Sequence, residues 1–280
     1  MNWDLIVAAN SHAVLKSCLL SSPAVQQASQ VVVQWGFKSA GQAYNDGLNK
    51  TRSEIAVFPH QDVYLPAGWD NWLMSSLERL SEIDKSWAVA GVFGMASESQ
   101  FVGQVHCTRN GRIVGTAIRE PMQAAALDEL LLVVRRASGL CFDESLPGFH
   151  LYGTDICLEA RRRGLRSYVV PAFCIHNASG WIFLPWAFWR SYFYLRKKWW
   201  EHLPATSPCA VIQRWPAPLF TTTVLSFYYY CVRRRRLGQR VAEPAKLAES
   251  ILLSRQIGLN ACGISTGVAS AAADSHDHRE

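Results

Sequence analysis

The chain has no cysteine pair spaced as CxxC, although its 280 residues include eight cysteines. Cys18, Cys107, Cys141, Cys157, Cys174, Cys209, Cys231 and Cys262 are scattered, and most lie inside apolar runs. That spacing argues against a zinc site and a disulfide framework, and suits buried free thiols in a reducing compartment. Also missing are GxxxxGKS/T, a GxGxxG after the first apolar run, and HExxH. These absences set aside P-loop NTPases, typical dinucleotide dehydrogenases and zincins. The opening MNWDLIVAANSH has no basic segment and no long apolar run, so no signal peptide is expected. An excess of charge is missing too: 28 Lys and Arg against 22 Asp and Glu leave +6. So mild a balance suits a polyanionic ligand or an anionic membrane surface without demanding nucleic acid. What is plentiful is apolar material, 49% of residues, with five of the 11 tryptophans between Trp181 and Trp200.

Strand and helix patterns alternate through the first half. Residues 4–9 (DLIVAA) read as a buried strand, and Asn10 and Ser11 can cap a helix over 12–20. Residues 31–34 read as a second strand, Ser39 as the N-cap of a helix over 40–49, and 55–58 as a third strand. This order predicts right-handed crossovers and a parallel sheet. Residues 69–83 then predict a helix with Trp72, Leu73, Leu77 and Leu80 on one face, and 87–93 a strand. Residues 101–117 predict a hairpin about Asn110-Gly111, and 127–134 a further strand. Thr154 predicts the cap of a helix from Asp155 to residue 163, stopped by Gly164. Residues 169–175 read as an apolar stretch interrupted by Pro171 and ending at His176.

Four places carry candidate chemistry. In residues 55–66, IAVFPHQDVYLP, a short strand ends at proline and His60-Gln61-Asp62 follows. Ligands of open α/β sheets sit outside the carboxyl ends of strands, so Asp62 is either a metal or phosphate-site residue or a turn cap. Asp155, read at its helix start, is either a general base or a helix-end charge. His176, past an apolar stretch, is either a structural histidine or a metal ligand with Asp62 as partner, the two then sharing one sheet rim. Asp128-Glu129 either face the same cleft or mark a solvated strand end, the second being preferred.

DLIVAAN, AGQAYNDGLNKT, IAVFPHQDV, FDESLPGFHLYGTDICLEARRRGL and VVPAFCIHNASG, in that order, resemble a family-2 glycosyltransferase of the GT-A fold. The likeness runs over residues 4–203, and the metal triplet is that of the branch with HQD in place of DxD. The resemblance implies an α/β, Rossmann-like fold: a mixed, mostly parallel sheet flanked by helices, with a C-terminal helical extension. It implies an inverting, metal-dependent transfer of sugar from a nucleoside-diphosphate sugar to a hydroxyl of a glycan, lipid-linked or small-molecule acceptor. Asp62 and His176 would hold Mn²⁺ or Mg²⁺, and Asp155 would be the general base. Ala8, Ala9, Asn10, Gln34, Trp35, His60 and Gln61 would border the nucleotide sugar. The chain departs from many relatives at Gln34-Trp35, where an aspartate commonly reads the base.

The expected domains are a glycosyltransferase domain over 1–203, a helical extension over 204–262 and a disordered tail over 263–280. Residues 219–232, apolar but rich in threonine and followed by Arg233 to Arg236, are too short for a confident span. The expected location is the cytoplasm, with peripheral attachment to the inner membrane face as an alternative. A catalytically inactive glycan- or partner-binding protein is the rival function. Nucleic-acid binding through Arg161 to Arg163 and Arg233 to Arg236 is disfavoured, because no nucleic-acid motif accompanies those runs.

Overall fold

The computed structural model of this protein describes residues 1–97, 100–179, 184–233 and 238–255. β1 (Trp3–Ala9) leads to α1 (His12–Ser17), where the Ser11 side chain accepts the Val14 N–H. The helix expected over 12–20 therefore breaks early, and Leu19–Ser21 continues as a 3₁₀ turn. β2 (Gln30–Trp35) passes through Ser39, whose side chain caps the Gln42 N–H, into α2 (Ala40–Lys50). β3 (Ile55–Pro59) is followed by the two-residue β4 (Val63–Tyr64) and by α3 (Trp69–Ile83). Next come β5 (Trp87–Gly91), β6 (Gly94–Ser97), β7 (Gln100–Val102), β8 (Val105–Cys107) and β9 (Arg112–Val114). β10 (Met122–Gln123), β11 (Ala126–Leu127) and β12 (Leu131–Arg135) precede α4 (Tyr152–Arg162). β13 (Arg166–Val169), β14 (Cys174–His176) and α5 (Trp186–Lys198) complete the region of the family likeness. Beyond it lie β15 (Ala205–Thr206), β16 (Val211–Ile212), α6 (Ala217–Arg233) and α7 (Pro244–Arg255).

The main sheet has seven strands in the order β10-β13-β5-β12-β3-β1-β2. β1 is parallel to β2 and β3, and β5 is parallel to β13. β12 enters between β3 and β5 and is antiparallel to both, and β10 is antiparallel to β13. The sheet is thus mixed and mostly parallel rather than all parallel. Alternation along β1 divides the core. Ile6 is buried in one cluster with Tyr44, Tyr152 and Trp189, while Leu5 and Val7 are buried in another with Leu73, Leu77 and Trp69. Every residue of β3 is buried, as a strand covered by helices on both faces must be.

The expected strand over 127–134 is two strands of two sheets with a turn between them, because Asp128 and Glu129 leave the ladder. The expected stretch 169–175 likewise divides: β13 belongs to the main sheet, and β14 to a smaller sheet in the order β4-β14-β8-β9. β8 and β9 form the hairpin at Asn110-Gly111, shorter than the 101–117 expected, with Gly111 at φ +62. Four described cysteines are buried, while Cys141, Cys209 and Cys231 are exposed, so not all thiols are core residues. The 263–280 tail, Trp181, Cys262 and Arg234 to Arg236 lie outside the described residues.

Candidate active site

The His-Gln-Asp turn is a junction between two sheets. Pairing with β1 ends at Val57, Pro59 still faces Leu131 of β12, and the His60 N–H donates to the Leu130 carbonyl at 2.8 Å. The Val63 N–H returns to the His60 carbonyl at 3.1 Å and closes the turn. β4 then pairs with β14, with Val63 opposite His176, and the Asn177 N–H donates to the Asp62 carbonyl at 2.8 Å. Asp62 and His176 therefore meet through the small sheet, not along one rim of the large one.

Donor atoms of His60, Asp62 and His176 all lie within 4.8 Å of one another. His176 Nε2 is 3.5 Å from Asp62 Oδ1, and Arg240 Nη2 is 3.3 Å from Asp62 Oδ2. Burial pushes the Asp62 carboxyl up, but His176, His60 and Arg240 outweigh it and hold the group well below the ordinary carboxylate range. His60 is held down, chiefly by burial, which favours the neutral ring a metal needs. Its Nε2 lies 2.9 Å from the Tyr152 hydroxyl, which itself donates to the Glu129 carbonyl at 3.0 Å. The hydroxyl then accepts from Nε2–H, and the lone pair is left on Nδ1. One carboxylate and two imidazoles, with the His60 tautomer set by a hydrogen bond, are a donor set that fits a divalent cation.

Gln61 performs a different task. Its carbonyl oxygen accepts the Asn10 and Ser11 N–H groups at 3.1 and 3.0 Å, and its amide donates to Asn10 Oδ1 at 2.5 Å. The turn is thus tied to the end of β1, where Ala8 is half-buried and Ala9 is buried. Gln34 is buried; its amide donates to Asp46 at 2.6 Å and its carbonyl faces Lys50. Trp35 is exposed and stacks on His12 with ring centroids 4.0 Å apart, joining the ends of β1 and β2.

Asp155 sits on α4, but as its fourth residue, not its first. Leu151 takes the cap position with φ +65, and Thr154 lies inside the helix with its buried hydroxyl unbonded. The left-handed turn at Leu151 starts the helix one turn earlier than Thr154 alone suggests. Tyr152 and Asp155, three apart, share one face of α4, so one helix serves both the His60 cluster and the carboxylate. Asp155 is 3% exposed. The Trp199 indole N–H donates to its Oδ1 at 2.7 Å, and Lys198 Nζ lies 2.8 and 2.9 Å from its two oxygens. The same Nζ reaches Asp143 at 2.7 Å, and the Tyr194 hydroxyl donates to Asp143 at 2.9 Å. Burial raises the Asp155 carboxyl, and Lys198 and Trp199 oppose that rise.

Asp128 and Glu129 are half-buried in the turn between β11 and β12 rather than on a solvated strand end. Burial, and then the Asp128 charge, raise the Glu129 carboxyl well above its ordinary range. A Cβ at Gly153 would lie 2.7 Å from the Leu127 carbonyl oxygen and 3.1 Å from Glu129 Cγ, so α4 approaches this turn as closely as glycine permits. Tyr152, Lys198, Trp199, Asp143 and Arg240 are missed in the sequence. RKKWW and FDES are visible there, but nothing local says that they converge on Asp155.

Residues 5–190 match a family described as "Glycosyltransferase like family". A protein of Fuscovulum blasticum called "ATP synthase subunits region ORF 6" is 33% identical over 138 residues, 46% of this chain and 53% of that protein. The structure of GalNAc-T7 with UDP, GalNAc and Mn²⁺ aligns with TM-score 0.51 at 11% identity, covering 72% of this chain and 49% of the other. The mannosyltransferase PcManGT of Pyrobaculum calidifontis, in complex with GDP-Man and Mn²⁺, gives TM-score 0.44 at 11% identity, over 81% and 69% of the two chains. The chain thus spans about half the length of the curated relative and of GalNAc-T7. At 11% identity the likeness to GalNAc-T7 speaks for the fold alone, that of the GT-A glycosyltransferases.

Proposed function

The chain belongs to the glycosyltransferase-like family, and on that premise we propose that it transfers a sugar from a nucleoside-diphosphate donor to an acceptor hydroxyl with inversion. The observation that carries this reading is the pairing of two devices on one helix. Tyr152 of α4 orders His60 beside Asp62 and His176, and one turn later Asp155 stands as a buried carboxylate.

Asp62, His60 and His176 would hold Mn²⁺ or Mg²⁺, the imidazoles tilting the choice toward Mn²⁺. The cation, when bound, offsets negative charge on the departing diphosphate. Gln61 and Asn10 fix the turn against the end of β1, and the His12–Trp35 stack offers the nucleotide base a flat apolar face. Asp155 takes the proton of the attacking acceptor hydroxyl. One such carboxylate suffices for direct displacement, unlike the pair needed in glycoside hydrolysis. Lys198 opposes the rise that burial imposes on the Asp155 carboxyl. That arrangement disfavours the rival reading of an inactive binding protein. Incubation with Mn²⁺ and a panel of UDP, GDP and dTDP sugars is expected to raise the melting temperature and release the matching diphosphate. No shift with any nucleoside diphosphate would sink the donor site.

Lys198→Ala removes the cation that opposes burial at Asp155. The carboxyl then rises further and needs a higher pH to ionise, so the ascending limb of the kcat/KM profile moves to higher pH. An unmoved limb would remove Lys198 from this role.

We also propose peripheral contact with an anionic lipid surface. Phe220, Leu225 and Tyr228 of α6 are each at least 60% exposed, and the helix abuts Arg233 to Arg236 in sequence. Among the described residues no helix is long and apolar enough to cross a membrane. An exposed apolar helix beside a basic run suits a lipid interface better than a second, equally basic copy. The protein is expected to sediment with phosphatidylglycerol vesicles and not with phosphatidylcholine vesicles, and Leu225→Glu to lower the bound fraction. Equal partition with both vesicle types would overturn the proposal.

A further inference from the structure

The candidate donor site includes a residue from far down the chain. Arg240 lies 178 positions after Asp62, yet its Nη2 donates to Asp62 Oδ2 at 3.3 Å. Its Nε donates to the Asn177 carbonyl at 3.1 Å, so the guanidinium is pinned at one edge. The segment that carries it is fixed on both sides. The Val241 N–H donates to Asn177 Oδ1 at 2.8 Å, and the Asn177 amide returns to the Val241 carbonyl at 3.0 Å. Asn177 is 3% exposed, so its side of this exchange is buried. Downstream, Ala248 and Ile251 of α7 are buried against Cys18, Tyr64, Phe173 and Ile175. The backbone of this strap is therefore docked beneath β14, while the Arg240 side chain remains 38% exposed at the cluster.

We propose that Arg240 is a binding residue for the donor's diphosphate, a reading that rests on the donor site proposed above. In this structure its guanidinium serves as the counter-charge of Asp62. A divalent cation on Asp62, His60 and His176 would claim the same carboxylate. Even against the charges of Asp62 and of Asp128, which also acts on His60 and His176, Arg240 and the cation together would then leave positive charge in excess at a partly buried place. A diphosphate supplies the missing negative charge, and the planar fork of arginine matches phosphate oxygens. Arg240 therefore passes from Asp62 to the diphosphate when cation and nucleotide enter together. The alternative is that Arg240 only neutralises Asp62 and never meets the donor.

Titration calorimetry of the full chain separates these cases, with Mn²⁺ alone, then UDP, GDP, UMP and inorganic pyrophosphate in the presence of Mn²⁺. Arg240→Ala is expected to weaken the diphosphate that the wild type binds, and pyrophosphate, by at least about tenfold, the scale of a charged hydrogen bond. UMP should change little, and Mn²⁺ alone should bind equally or more tightly because a competitor has gone. Arg240→Lys keeps the charge but not the fork, and should recover only part of the loss; it also serves should the alanine variant unsettle the strap. Unchanged diphosphate affinity in both variants overturns the proposal. So does an equal loss for Mn²⁺ alone, which would mark a purely structural counter-ion. A wild-type protein that binds no diphosphate with Mn²⁺ fails the donor site itself, and Arg240 with it.

Discussion

Asp155→Asn is expected to abolish sugar transfer, lowering kcat by the roughly 10²- to 10⁴-fold that a positioned general base contributes. Nucleotide affinity should stay near that of the wild type. The amide keeps the shape of the carboxylate, and its oxygen can still accept the Trp199 N–H seen at 2.7 Å. Lys198 retains Asp143 at 2.7 Å, so the change does not strand a buried ammonium. What is lost is the negative charge that, in the proposed mechanism, takes the acceptor's proton. Turnover, nucleotide titration and melting temperature measured on the same preparation separate these effects. Normal turnover in a folded variant would show that Asp155 is not the base.

The second large effect is at Asp62. Asp62→Ala should lower Mn²⁺ affinity by more than the ~10- to 100-fold that loss of an outer hydrogen-bond partner costs at a metal site. Chelation of the wild-type protein should reproduce its loss of metal-dependent nucleotide binding. The variant also leaves Arg240 without the carboxylate 3.3 Å from it, which is why chelation of the intact protein is the cleaner arm. A pH dependence follows. Burial disfavours the His176 charge, but hydrogen bonds with Asp62 and Cys107 outweigh it and raise His176 to about 10. Below that value the ring carries a proton that the cation must displace. Mn²⁺ affinity should therefore fall as pH falls, by up to about tenfold per unit. Affinity independent of pH between 6 and 9, a window of roughly three units, would remove His176 from the metal site.

Much of the architecture was legible because it is local. Ser11 and Ser39 accept the N–H groups expected of helix caps, and α3 runs over the residues its apolar face predicts. The strand-turn-acid pattern at residues 55–62 is likewise a short-range feature. Other features depend on contacts that local pattern does not encode. β12 has the same apolar character as its neighbours, and nothing in that character states that it enters the sheet reversed. The start of α4 is not a local feature: Thr154 is a good cap by type, whereas the structure uses a left-handed Leu151. Asp128 and Glu129 read as solvated charges until Gly153 brings α4 down on them.

By itself the sequence determined the alternation of strands and helices, the caps and the residue types offered at the His-Gln-Asp turn. These follow from side-chain periodicity and from hydrogen bonds that span only a few residues. Tertiary structure alone decided which of those groups meet. β4 and β14 bring Asp62 to His176, α5 brings Lys198 to Asp155 across 43 positions, and the C-terminal strap brings Arg240 across 178. Such contacts come from burial of apolar faces in three dimensions, and the charged groups are carried along by the elements that bury them.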